Sequence, residues 1–240
     1  LTFVGAQARR RSQLGATYIV VSAICFGAMA IMARIAYAAG VDTTTLLALR
    51  FVLAGVILVA IALARGEPWP RGKTLLALIL LGAVGYGGQA FTFFTALTLA
   101  PAGLVALLLY LYPALVTALS ALVLGEKLTP RKLAALAIAL CGTALTIGPT
   151  SAASTLGIVL GVGAAAIYAV YIIAGSRLST RVAPRPMATV VIVSAGVVFA
   201  LAALVRGPVG PQALSGWLAV AGIAVFSTVV AIVLFFAGLE

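Results

Sequence analysis

The feature that most constrains this chain is a train of apolar runs, each about as long as a bilayer-spanning helix, separated by short polar gaps. A helix rises 1.5 Å per residue and needs about 20 apolar residues to cross a hydrocarbon core about 30 Å thick. Eight runs fit, at 16–38, 45–64, 74–96, 102–124, 132–148, 155–175, 187–205 and 216–238. The gaps are rich in Gly, Pro and charge, as in Arg65-Gly66-Glu67-Pro68-Trp69-Pro70 and Arg206-Gly207-Pro208, and they leave no room for a separate soluble domain. The chain reads as an all-α polytopic membrane protein.

Composition narrows the chemistry. The chain has no histidine, two cysteines in separate apolar runs (Cys25 and Cys141) and four acids among 240 residues. A zinc site, a Ser-His-Asp triad or a pair of catalytic carboxylates has no residues to build on. No catalytic residue, cofactor or metal is therefore expected. A membrane-embedded enzyme would need a clustered acid, histidine or metal motif, and none is seen.

The chain holds 15 Lys and Arg, and their places matter more than their number. A nucleic-acid groove needs basic residues gathered on a folded polar surface, whereas these lie in gaps between apolar runs. Twelve fall in alternate gaps (Arg9, Arg10 and Arg11; Arg65, Arg71 and Lys73; Lys127, Arg131 and Lys132; Arg177, Arg181 and Arg185), against Arg206 alone in the other set. Cationic loops stay in the cytoplasm, so the N-terminus is expected there. The lipid bilayer is one expected partner and a small-molecule substrate another; nucleic acid is not, and a homodimer stays open. The Arg triplet ahead of an apolar run also fits a signal peptide with Ala36-Tyr37-Ala38 as its cleavage site. However, the run exceeds the 7–15 residues usual for such a signal.

An internal repeat runs through the chain. Ala54-Gly55 recurs as Ala195-Gly196, and Ala62-Leu63-Ala64-Arg65-Gly66 as Ala203-Leu204-Val205-Arg206-Gly207, both at an offset of 141. Phe93-Phe94 recurs as Phe235-Phe236 and Leu14-Gly15 as Leu156-Gly157, at an offset of 142. A first unit of five spans makes the second enter the membrane from the opposite side, an inverted repeat of the kind transporters use around a midplane substrate site. The expected units are a cytoplasmic segment at 1–15, a five-helix repeat at 16–149 and an incomplete three-helix repeat at 155–240. Glu240 aligns with Thr98, so by repeat logic about 50 further residues with two more spans are expected. The chain would then carry eight transmembrane helices of an expected ten, in two inverted five-helix repeats. The rival is a natural eight-helix protein.

Several segments together resemble the drug/metabolite transporter superfamily, and within it the EamA-like permeases. They are Ala48-Leu49-Arg50-Phe51-Val52-Leu53-Ala54-Gly55, Phe93-Phe94-Thr95-Ala96-Leu97, Tyr112-Pro113-Ala114 and Leu124-Gly125-Glu126-Lys127-Leu128-Thr129-Pro130. The resemblance covers about residues 15 to 240 and is that of a C-terminally truncated member. It departs in the first helix, where Phe26-Gly27-Ala28 replaces the usual Trp-Gly pair and Arg34 stands near the usual Lys. The resemblance implies ten helices in two inverted halves, alternating access, and export of amino acids or other small metabolites across the bacterial cytoplasmic membrane. A non-transporting structural or regulatory membrane subunit is the alternative.

Candidate substrate contacts are polar or aromatic residues sharing a face inside apolar runs. Tyr86, Gln89 and Phe93 fall at i, i+3 and i+7 of the third run, and Tyr110 and Pro113 at i and i+3 of the fourth. A mid-membrane proline removes one backbone hydrogen bond and kinks its helix, which is tolerated where the backbone lines a cavity or is buried in protein. Tyr168 and Tyr171 follow in the sixth run after the small-residue stripe Gly157, Gly161 and Ala165, whose first reading is close helix packing. Arg34 and Arg50 carry charge into apolar runs and must face protein, a wet cavity or the interface. Each either plays a structural part, with Asp42 as an outer-surface partner, or attracts an anionic or carboxylate-bearing substrate. None of the four acids lies mid-span, so these residues offer no carboxylate relay for proton coupling.

Overall fold

A computed structural model describes residues 2–124, 153–239 and the isolated positions 130, 134, 137, 138, 141 and 142. The helices are α1 (Thr2–Ala38), α2 (Thr43–Ala64), α3 (Gly72–Leu80), α4 (Gly87–Leu99), α5 (Ala102–Leu109), α6 (Tyr112–Leu124), α7 (Thr155–Ser179), α8 (Pro184–Arg206), α9 (Leu214–Ala224) and α10 (Ala231–Leu239). Two π-helical turns, π1 (Leu81–Tyr86) and π2 (Val225–Val230), join α3 to α4 and α9 to α10. In each, the next helix opens with an N–H that reaches five residues back: Gly87 to the Gly82 carbonyl, Ala231 to that of Phe226. Among the described residues there is no strand.

Seven stretches are long and apolar enough to cross a membrane: Leu14–Ala38, Thr43–Ala64, Gly72–Leu99, Ala102–Leu122, Thr155–Ser179, Pro184–Arg206 and Leu214–Phe235. They match seven of the expected runs to within a few residues at each end. The run expected at 132–148 lies outside the described residues. Large apolar side chains such as Ile24, Val56, Leu80, Leu201 and Leu218 point outward, as a lipid-facing surface requires. Small ones (Ala33, Ala36, Ala54, Ala164, Ala165 and Ala195) fill the interior.

Close approach of helices explains some of the glycines. With lipid as apolar as the side chains, helix association relies on tight packing. A methyl group at Gly82 would lie 2.7 Å from the Val191 Cα, and one at Gly196 3.2 Å from the Phe51 carbonyl carbon. The predicted stripe on α7 packs in this way, with Gly157 against Leu99 and Ala100 and Gly161 against Leu108.

The neighbour relations follow a pattern. Helix α1 packs along α9, π2 and α10, while α7 packs along π1 and α4 and also touches α5 and α6. Helices α2 and α8 form the most extensive pair. Gly55 of α2 meets Val193 of α8, and Gly196 of α8 meets Phe51 of α2.

The connections are pinned at one end of the bundle. Asp42 caps α2, accepting from the Thr44 and Thr45 amides at 2.8 and 3.1 Å and from the Thr45 hydroxyl. Its carboxylate also accepts from the Val209 amide at 3.3 Å, and the Gln212 amide donates to the Ala39 carbonyl at 2.8 Å. Gly207, with φ of 82°, ends α8 in a left-handed turn that leads into this clasp.

Candidate functional site

Two arginines interrupt the apolar runs, and the structure treats them differently. Arg34 sits on the exposed flank of α1 and donates from Nη1 to the Leu97 carbonyl at 2.9 Å. It satisfies a carbonyl in the last turn of α4, a common use of a basic side chain. Arg50 is only 2% exposed. Its Nε–H donates to the Thr228 hydroxyl at 3.0 Å and its Nη2 to the Tyr86 hydroxyl at 3.1 Å. The guanidinium lies over the rings of Phe51 and Phe94, at 4.7 and 5.2 Å from their centroids, so π-faces partly offset the loss of water around the cation.

Asp42 does not pair with Arg50, contrary to the outer-surface ion pair weighed from sequence. As the eighth residue of α2, Arg50 turns into the core, while the Asp42 carboxylate is taken up by the helix cap and the Val209 amide. Burial acts to raise the Asp42 carboxyl's pKa. The Thr45 hydroxyl and the Thr45, Thr44 and Val209 amides outweigh that and hold it below the usual carboxylate value.

An aromatic run leads away from Arg50. Phe51 meets Tyr86 edge-on at 5.6 Å, Tyr86 meets Tyr171 at 5.6 Å, Tyr171 stacks on Tyr168 at 5.7 Å, and Tyr168 meets Tyr112 at 4.8 Å. Four helical segments (α2, π1, α7 and α6) thus supply one continuous wall. Phe199 of α8 stacks on Phe51 at 5.8 Å.

The sequence candidates divide by position. Arg50, Tyr86 and Tyr168 belong to this wall. Gln89 and Phe93 are buried on α4 at 7% and 6% exposure, with Phe93 edge-on to Phe94 at 5.6 Å. Tyr110 lies outside it, 59% exposed. Pro113 explains that placement. Lacking an N–H, it cannot bond back to Leu109, and the helix breaks at Tyr110–Leu111 and restarts at Tyr112, with the Thr117 hydroxyl donating to the Pro113 carbonyl at 2.8 Å. Tyr112, Phe51, Phe94 and Thr228 were not singled out from sequence as site residues. Phe51 and Phe94 were each one residue from a visible signal, while Thr228 carries none.

The sequence pattern of the family described as EamA-like transporter family matches residues 13–148 and again 155–240. The chain belongs to the EamA-like transporter family. A curated protein of Ancylobacter novellus, "Aromatic amino acid exporter YddG", is 31% identical over 147 residues, 56% of this chain and 49% of that protein. The match thus spans about half the length of this curated relative. A solved crystal structure superposes with a TM-score of 0.71 at 25% identity, covering 97% of this chain and 79% of that one. This EamA-like chain is a multi-pass membrane protein by its family and its helices.

Proposed function

We propose that this EamA-like protein is a secondary transporter that moves a small organic metabolite, an amino acid or related compound, outward across the bacterial cytoplasmic membrane. Two inverted five-helix halves, 16–149 and 155–240 as far as this chain carries them, rock about α2 and α8 to give alternating access. The N-terminus is cytoplasmic, and residues 1–240 carry eight of ten helices.

The observation that carries this reading is that the packing keeps its pattern when the halves are exchanged. Moving α1 onto α7, α2 onto α8, and α3–π1–α4 onto α9–π2–α10 turns α1 with π2 and α10 into α7 with π1 and α4, and α2 with α8 into itself; the α1–α9 contact is the exception, with no comparable contact between α7 and α3. The π turns occupy corresponding places in the two halves, and Gly55 and Gly196 make reciprocal contacts. Two successive family matches and a relative named as an exporter support the same reading.

In this proposal Arg50, Tyr86, Gln89, Phe93 and Tyr168 line the substrate path, and Pro113 sets the break that brings Tyr112 to Tyr168. Tyr110 and Arg34 serve the rim. The test is flux of a metabolite panel through everted vesicles carrying the full-length gene product. Accumulation of one class above vector controls is expected, and flux of none would leave a structural or regulatory subunit. A single cysteine placed in the 177–185 loop should react only from the cytoplasmic face.

A further inference from the structure

Both hydrogen-bond partners of the buried Arg50 lie in π-helical turns, Tyr86 at the end of π1 and Thr228 within π2. A guanidinium has five N–H donors in a planar fork. Two are used here, leaving three among the described residues. The Thr228 hydroxyl spends its own hydrogen on the Ile223 carbonyl, 2.9 Å away and five residues back, so it can only accept from Arg50. Tyr86 accepts from Nη2, and its O–H hydrogen has no acceptor among the described residues. Arg50 and Tyr86 thus offer converging donors, a charged fork and a hydroxyl, between aromatic faces. No described carboxylate pairs with the cation.

We infer that Arg50 is the seat of a substrate carboxylate, with Tyr86 and Thr228 as positioning residues that couple its arrival to the two π turns. The inference rests on the transporter reading above. A carboxylate is the planar, two-oxygen anion that the guanidinium fork fits. The surrounding rings of Phe51, Phe94 and Tyr86 select an apolar or aromatic remainder. Capture of the fork competes with its bonds to Tyr86 and Thr228. A π turn holds one residue more than an α turn, so its conversion turns the following helix by about 100°. Releasing the two hydroxyls therefore frees a rotation in each half, and a closed core opens only when an anion takes their place.

The experiment uses phenylalanine and phenethylamine, which share ring and amino group and differ in the carboxylate, with the full-length protein in proteoliposomes. Phenylalanine is expected to be carried and to protect purified protein against thermal unfolding; phenethylamine is expected to do neither. Tyr86→Phe, which removes a hydroxyl that donates to the carboxylate, should raise the phenylalanine concentration for half-maximal flux at least tenfold, and Thr228→Val, which removes only a competing acceptor, should lower it. Tyr86→Phe keeps the ring contacts to Phe51 and Tyr171, so it remains informative if Arg50→Gln fails to fold. Phenylalanine should also change hydrogen exchange at the amides of Gly87 and Ala231, which make the five-residue bonds. Equal handling of both probes, unchanged half-saturation in both variants, or unaltered exchange at both amides with phenylalanine bound would overturn the inference and leave the transporter reading standing. Transport of another panel compound but of neither probe overturns it as well. Flux of no compound overturns both.

Discussion

The Arg50 Nε–H donates to the Thr228 hydroxyl over 3.0 Å across 178 positions of sequence, and so ties α2 to π2. A hydrogen bond to a buried charge contributes roughly 1.5–3 kcal/mol. Thr228→Val keeps shape and removes the acceptor. It should destabilise the folded protein by about that amount in a denaturation series, while Thr98→Val, an exposed threonine bonded only within its own helix, should change stability by less than about 0.5 kcal/mol.

Gly82 makes the closest helix approach at π1, where an added methyl group would lie 2.7 Å from the Val191 Cα. The obstacle is backbone and cannot rotate away. Gly82→Ala should therefore cost about 1–3 kcal/mol through overpacking. Gly88→Ala, six residues on, meets nothing within 4 Å and should be neutral or stabilising by about 0.4–1 kcal/mol. Thermal unfolding of the two variants in one detergent separates them; equal effects would refute the contact.

The fold was legible because lipid demands long apolar runs, a signal that survives without alignment. Arg50 was legible as a charge in such a run, but its burial was not. Position 50 is seven residues into α2, where an arginine can either reach back to the interface or turn inward, and that choice depends on Thr228 and Tyr86. Thr228 gives no warning, since threonines are ordinary in apolar helices and its partner is far away in sequence. The π turns have no residue signature, so the expected face Tyr86–Gln89–Phe93 came from α spacing that holds only from Gly87 onward. In the fourth run the i, i+3 face assumed an unbroken helix. The break at Tyr110–Leu111 puts Tyr112, not Tyr110, against Tyr168.

Asp42 joins the α1–α2 and α8–α9 connections through the Val209 amide at 3.3 Å. Its pKa is held below the usual value, so its contribution to the folded state is fully present above the ordinary carboxylate pKa of about 3.9 and is lost as pH falls through the lower folded value. The protection factor of the Val209 amide, its exchange rate relative to the intrinsic rate at each pH, should fall over that acidic window and stay flat from mildly acidic to neutral pH. Asp42→Asn retains a helix cap and should abolish this acid response. Asp42→Ala should in addition cost about 1 kcal/mol through loss of the cap.

At the opposite end of the bundle Arg185 and Glu67 approach to 3.8 Å, with side chains 28% and 16% exposed. They join the α2–α3 connection to the start of α8, as Asp42 joins the other pair of connections. The ties differ in kind: one end carries several hydrogen bonds to backbone amides, the other a long, partly buried ion pair. A partly exposed pair at this long separation contributes about 0–1 kcal/mol and weakens with salt. Glu67→Gln should therefore change stability by less than about 1 kcal/mol, and raising salt from low to molar concentration should erase the difference from the parent protein. If the two ends gate alternating access, the same variant should favour opening at this end. A cysteine near Ala188 should then label faster in Glu67→Gln at low salt and at equal rates at high salt; equal rates at both would separate this ion pair from gating.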